Sequence, residues 1–178
     1  MNLIEELKLE LDAFDQWEED LELKRNDFLV KAGSKNSKLY FVNSGGLRVF
    51  FEEENEEHTI RLAYKNNFLL AMDSFISGQS TDLNIQALKK CQIKSIAKVK
   101  FQAFIDSNDH RKTLWYQSLE HLILSQLERE KDILISSPAE RYLRVLKRSP
   151  MVFQEIPNKY IASYLRMTPE TLSRLKKS

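Results

Sequence analysis

The residues best suited to chemistry are near the end of the chain, in NKYIASYLRMTPETLSRL, positions 158–175. Two helices packed across a sharp turn need apolar residues where they face each other, a small residue at closest approach and a cap that restarts the chain. Ile161, Leu165, Met167, Leu172 and Leu175 supply the inner face, Ala162 is the small residue, and Thr168-Pro169 places an N-cap before proline at the first helical position. The second helix then presents Pro169, Glu170, Thr171, Ser173, Arg174 and Lys177 on its remaining surface. These groups suit the major groove of a duplex. Glu170 can accept from a cytosine amino group, and Arg174 can donate bidentately to guanine. The hydroxyls of Thr168, Thr171 and Ser173, with Lys159, Arg166, Lys176 and Lys177, can hold backbone phosphates.

The charge distribution points to the same segment. Residues 137–178 carry nine Lys and Arg against three Asp and Glu, whereas the preceding 136 carry 18 against 23, so a net charge of +1 hides an acidic body with a basic tail. The 178 residues, 42% hydrophobic and 30% charged, suffice for one or two small domains. A single cysteine excludes an internal disulfide, a cysteine-rich zinc site and a four-cysteine cluster. No glycine-rich phosphate loop, metal-spaced His/Cys set or nucleophile motif is present, so no enzyme and no metal site is expected. The opening MNLIEELKLELDAF carries acids where a signal peptide carries bases, and no apolar run reaches membrane-spanning length, so a cytoplasmic protein without a membrane partner is expected.

Several elements must position the basic tail. Leu3, Ile4, Leu7, Leu11 and Phe14 have the spacing of an amphipathic helix from Asn2 to about Trp17. Between Leu21 and Ala97, short β-branched and aromatic stretches separated by polar or glycine-bearing turns predict an antiparallel sheet or barrel. The acidic run from Glu52 to Glu57 reads as a solvated hairpin tip, and Cys91 as a buried small hydrophobe. A long helix is expected from His110 to Ile135. Its stripe of Trp115, Leu119, Leu122 and Gln126 is flanked by further apolar residues, too wide to be covered on one side, which predicts a helix pair across a two-fold axis. Ser137-Pro138-Ala139-Glu140 then starts a new helix.

IASYLRMTPETLSRLKK resembles the helix-turn-helix of the bacterial Crp/Fnr superfamily of transcription regulators, and SPAERYLRVLKRSP is similar to the helix preceding it there. VKAGSKNSKLYFVNSGGLRVFF resembles the superfamily's cyclic-nucleotide-type barrel, and FLLAMDSFISGQ the short helical region over its ligand pocket. The resemblance implies an α+β chain: a sensor jelly roll over residues 1–109, a dimerisation helix over 110–136 and a winged helix-turn-helix over 137–178, with MVFQEIP as the remnant of the wing. It places Pro169, Glu170 and Arg174 at the base-reading positions. It also marks Arg166 as a departure, because the turn there normally holds a left-handed glycine, and another residue costs on the order of 1 kcal/mol.

The sensor departs further. The superfamily binds cyclic nucleotide through an Arg-Ser/Thr-Ala run and a Gly-Glu pair. The corresponding residues here are Thr81-Asp82-Leu83 and Leu70-Ala71-Met72, followed by Asp73. Both the guanidinium and the ribose-binding carboxylate are missing, and Asp73 and Asp82 add charge of the wrong sign for a phosphate. No cofactor and no tight cyclic AMP binding are therefore expected. The resemblance implies a homodimeric, sequence-specific regulator of palindromic double-stranded DNA that works with RNA polymerase. The alternative is a small-molecule-binding module whose tail mediates protein contacts.

Overall fold

The computed structural model describes residues 3–177 and opens with the helix α1, Leu3–Ala13. The expected start at Asn2 lies outside the described residues. The helix also stops short of Trp17: Asp15 takes a left-handed φ of 47°, and the chain turns into the first strand. Strands β1 (Glu19–Leu23), β2 (Phe28–Val30), β3 (Lys38–Ser44), β4 (Gly46–Glu53), β5 (Glu56–Tyr64) and β6 (Asn67–Leu69) lead to the short helix α2 (Met72–Ser77). Strands β7 (Asn84–Ala87) and β8 (Cys91–Ala97) follow, then helices α3 (Lys98–Asp106) and α4 (Asp109–Leu134). Four short helices complete the described chain: α5 (Pro138–Arg148), α6 (Val152–Glu155), α7 (Asn158–Tyr164) and α8 (Pro169–Leu175).

The strands form two four-stranded antiparallel sheets, ordered β1-β8-β3-β6 and β2-β7-β4-β5. Period-two alternation decides what lies between them. Tyr40 and Val42 on β3, Leu47 and Val49 on β4, and Ile93 on β8 point inward and pack with Ala63, Leu69, Ala71, Ile85 and Cys91. This interior is a continuous apolar core. The opposite face of the first sheet presents Leu39 and Ile96 to Leu7 and Leu11 of α1 and to Phe101, Phe104 and Ile105 of α3. Gly45 makes the β3–β4 turn possible. At its φ of 105°, an added Cβ would come 2.7 Å from the backbone of both Lys90 and Cys91. Cys91 is fully buried, as expected of a small hydrophobe; its Sγ donates to the carbonyls of Lys89 and Gly46, and burial pushes the thiol pKa up, away from reactivity.

The acidic run turns between β4 and β5 on Glu54 and Asn55, both left-handed at φ 51° and 67°. Glu57 at its edge is engaged, accepting from Arg48 Nη1 at 2.6 Å. The long helix α4 begins and ends one residue before the expected bounds and is capped by Asn108, whose side chain accepts from the His110 amide. One expectation is corrected. MVFQEIP carries the single-turn helix α6 where the remnant of a wing was expected. Val152 and Ile156 are drawn into an apolar cluster with Tyr160, Ile161 and Leu165, and a helical turn presents both to it, where strand alternation would not. Among the described residues, no helix is long and apolar enough to cross a membrane.

Candidate nucleic-acid interface and sensor site

Helix α8 is pinned from one side and free on the other. Leu172 is completely buried against Ile161, Ala162 and Leu165, while Pro169, Glu170, Ser173, Arg174 and Lys177 are exposed. Thr168 caps the helix by accepting from the Thr171 amide at 3.2 Å, and Pro169 occupies its first turn. The hydroxyls of Thr168 and Thr171 also lie 3.2 Å apart, so both belong to the cap. Glu170 is held below the usual carboxylate range by its own backbone amide and then by the Thr168 hydroxyl, which keeps it an acceptor.

The turn before α8 uses a device that the sequence pattern does not show. Arg166 is left-handed at φ 51°, as expected where glycine is usual. The buried Arg141 of α5 holds the segment. Its Nε donates to the Leu165 carbonyl at 2.8 Å and its Nη2 to the Arg166 carbonyl at 2.9 Å. Its Nη1 donates to the Ile135 carbonyl at 2.6 Å and the Ser136 carbonyl at 3.1 Å, where α4 ends. One guanidinium therefore joins the end of the long helix to the strained turn that aims α8. A second junction lies one turn away on α5. Asp132 of α4, fully buried, accepts from Arg144 Nε at 2.8 Å and from Arg148. Burial opposes its ionisation, but the hydrogen bonds from Arg148 and Arg144 outweigh it and hold the carboxyl below its usual range.

The remaining basic residues of the tail do not form one patch. Lys176 donates to Asn158 Oδ1 at 3.0 Å, tying the end of α8 to the start of α7. Lys159 faces the barrel, in a cleft shared with Arg48, Glu56 and Glu57, and its ammonium stands 4.8 Å from the Tyr160 ring centre. Helix α7 itself docks on the barrel. Arg48 is sandwiched between the rings of Phe50 and Tyr160 at 3.9 and 4.8 Å, Ser163 Oγ bonds Thr59 Oγ1 at 3.1 Å, and Lys89 pairs with Glu155 at 2.7 Å.

In the sensor, Leu70, Ala71 and Met72 bring no charged group, and Ala71 is part of the barrel core. Asp73, in the first turn of α2, reaches the loop where a phosphate-binding run was sought. Its Oδ1 accepts from Thr81 Oγ1 at 2.8 Å and its Oδ2 from the Asp82 amide at 3.3 Å. Thr81, almost fully buried, in turn accepts from the Leu83 amide at 3.0 Å. The carboxylate of this chain thus takes the donors of that loop.

Of the four residues expected at a dimer interface, Trp115, Leu119 and Leu122 are half-buried and Gln126 is exposed. Trp115 meets Phe101 edge-on at 4.9 Å, and Leu119, Leu122 and Gln126 line a groove between α4 and the barrel. The outward face of α4 carries Tyr116, Ile123, Leu124, Leu127 and Leu134, all exposed. Its spacing of three, four and seven makes a second stripe.

Comparison with known proteins agrees with this architecture. The sequence matches the cyclic nucleotide-binding domain family over residues 20–108, half of the chain. No curated protein matches it by sequence. Among solved structures, it is similar to a CooA mutant from Carboxydothermus hydrogenoformans, with a TM-score of 0.73 and 18% identity over 99% of this chain and 83% of that one. CLP, described as a c-di-GMP responsive global regulator of Xanthomonas campestris, is similar with a TM-score of 0.69 and 16% identity over 96% and 90% of the two chains. FixK2 from Bradyrhizobium japonicum gives 0.73 and 14% over 89% and 82%. At these identities the likeness is one of fold.

Proposed function

The chain belongs to the cyclic nucleotide-binding domain family through residues 20–108, with the sensor barrel, long helix and helix-turn-helix of the Crp/Fnr superfamily, and from that premise we propose that it is a sequence-specific transcription regulator acting on DNA as a homodimer. The observation that carries this reading is the free face of α8. Glu170 and Arg174 stand one turn apart on the exposed side of a helix whose opposite side is buried through Leu172. A pair of such helices related by a two-fold axis enters successive major grooves about 10 base pairs apart. The partners are then palindromic duplex DNA, a second copy of the chain and RNA polymerase, all met in the cytoplasm. No step of bond chemistry enters this role.

The reading includes a sensor that has lost cyclic nucleotide. The support is local: Thr81 and the Asp82 amide, the donors nearest to where a phosphate would sit, are occupied by Asp73. A phosphate entering there would displace one anion with another and meet no guanidinium in the loop. One similar protein, CLP, is described as c-di-GMP responsive.

The test is selection from a random duplex library with purified protein at about 0.15 M salt, a concentration where non-specific phosphate contacts are already weakened. Enrichment of a palindrome without added nucleotide, unchanged when cyclic AMP is supplied, is the expected result. Absence of enrichment would sink the DNA-reading role and favour a tail that makes protein contacts.

A further inference from the structure

The hairpin that joins β4 to β5 works against its own stability. Five of the six residues from Glu52 to Glu57 are glutamates. The antiparallel register sets Glu52 opposite Glu57 and Glu53 opposite Glu56, and like charges directly opposite each other destabilise a ladder. Among the described residues, only Glu57 of the five is in an ion pair, with Arg48. The turn itself needs residues that tolerate left-handed backbone, as Glu54 and Asn55 do here, and it needs no charge.

What the hairpin faces is the helix-turn-helix. Asn55, Glu56 and Glu57 form one wall of a cleft whose other wall is Lys159, Tyr160 and Ser163 of α7. The two walls are fastened together where Tyr160 stacks on Arg48 and the Ser163 hydroxyl bonds Thr59. Glu57 is held below the usual carboxylate range first by the hydrogen bond from Arg48, and against burial by the charges of Arg48 and Lys159. Lys159 also stands at the edge of the helix that would read DNA. Its neighbour Asn158 accepts from Lys176 at the end of α8 at 3.0 Å, and the exposed Lys177 follows. Charges this close are poorly screened at about 0.15 M salt, where the Debye length is about 8 Å.

We propose that the β4–β5 hairpin is an intramolecular stand-in for a phosphate backbone: its glutamates hold Lys159 within the chain and repel polyanions from the edge of the helix-turn-helix. The general attraction for phosphate then falls for every duplex. A random duplex has little else to offer and binds weakly, whereas a specific site keeps its base contacts to Glu170 and Arg174, which the hairpin cleft does not include. The like-charge strain in the ladder is the stability given up for this filter. The inference rests on the DNA-reading role and deepens it, by giving the barrel a part in discriminating between duplexes.

The test uses the full-length protein, heparin as a polyanion without bases, and a random-sequence duplex, each titrated over a range of salt. Glu52→Gln, Glu53→Gln, Glu54→Gln and Glu56→Gln are combined, with Glu57 kept as the partner of Arg48. Affinity for both polyanions should rise by about tenfold at about 0.1 M salt, and the melting temperature should not fall, because facing like charges have been removed. Net charge alone would also raise the affinity, so Lys159→Ala decides. In the parent it should change either affinity by less than about twofold; in the neutralised hairpin it should weaken both by about fivefold and lower the salt slope on the duplex by about one, because the lysine there is free to release a counterion. An equal cost of Lys159→Ala in the two backgrounds would overturn the proposal, as would an unchanged affinity for heparin after the four substitutions. A gain on heparin that depends on Lys159, with no duplex bound by either protein, would uphold the masking of Lys159 and remove the DNA-reading role. A palindrome selected by a parent whose hairpin variant gains nothing would do the reverse.

Discussion

The barrel and the C-terminal helices sit against each other but are held by different chemistry. In the barrel, two antiparallel ladders satisfy the backbone and twelve buried side chains, from Val30 to Ile93, fill the space between them. In the C-terminal part, helices of four to eleven residues are too short to be stable alone, and their placement depends on charged side chains as well as on burial. Arg141 spans four carbonyls, Asp132 gathers two guanidiniums, and Lys89 reaches Glu155 from the barrel. Burial is indifferent to pH and salt over the ordinary range, whereas ion pairs and guanidinium bridges are not. The part that would read DNA is thus the part whose orientation answers to ionic conditions, and the barrel is its fixed reference.

The largest effect expected from breaking this contrast comes from the barrel side. Leu47 is completely buried between the sheets, and Leu47→Ala should cost about 3–5 kcal/mol in urea unfolding through lost transfer energy and the cavity left behind. The loss should be the same at low and high salt; a strong salt dependence would mean that the barrel is not the carbon-held half. Arg141→Ala should come next, at about 2–4 kcal/mol, because it strands carbonyls at both ends of its reach. Hydrogen exchange should then rise in α7 and α8 ahead of the barrel strands. Uniform loosening of both regions would deny Arg141 its role as the local joint.

The same contrast explains what could be read in the sequence. Alternation marks the inward Tyr40 and Val42, and the Ser137 and Thr168 caps are visible because a short oxygen side chain ahead of proline has one job at a helix start. Arg166 stands out only through the resemblance, whose turn normally holds a left-handed glycine at that place, and its φ of 51° agrees. The rest was hidden because it depends on contacts between distant elements. Nothing in a wide apolar stripe tells which side of α4 meets its own barrel; in the fold Trp115 packs on Phe101, Leu119 and Leu122 lie beside the barrel, and Gln126 is exposed. Asp73 looked like misplaced charge, and only the folded loop shows it bonded to Thr81 and Asp82. MVFQEIP became helix because Val152 and Ile156 answer to the cluster around Tyr160. Arg141 was one of several basic residues in a basic helix, with no local signal to single it out.

A smaller effect, confined to the exposed face of α8, separates recognition from stability. Arg174→Ala should cost about 1–3 kcal/mol of specific affinity and relax the preference at one position of each half-site. Lys177→Ala should weaken all sequences alike and lower the salt slope by about one. Neither change should move the melting temperature, since both side chains are exposed. Binding isotherms on the selected site and on random duplex check both. Equal losses on the two duplexes for Arg174→Ala would reassign it to the backbone.

The smallest effect expected tests the charged half by pH. The Asp132 carboxyl is held below its usual range in the folded chain by Arg148 and Arg144, which overcome the opposing effect of burial. A lowered folded value means that the unfolded chain takes up its proton first as pH falls. The stabilisation is therefore complete above the ordinary aspartate value of about 3.9 and is lost as pH drops from there through the lowered folded value. Asp132→Asn keeps the shape and removes the charge, and should cost about 1–2 kcal/mol at neutral pH, because Arg144 and Arg148 are partly exposed and regain water. Its penalty relative to the parent should shrink as the pH is lowered across that window, for the parent then carries a neutral side chain at the same place. Urea melts of both proteins between pH 6 and the acid limit of folding measure this directly, in a range bounded by ordinary carboxylate titration. A penalty that stays constant with pH would mean that the α4–α5 junction is held by packing, and the division between a carbon-held barrel and a charge-held reading head would fail at that joint.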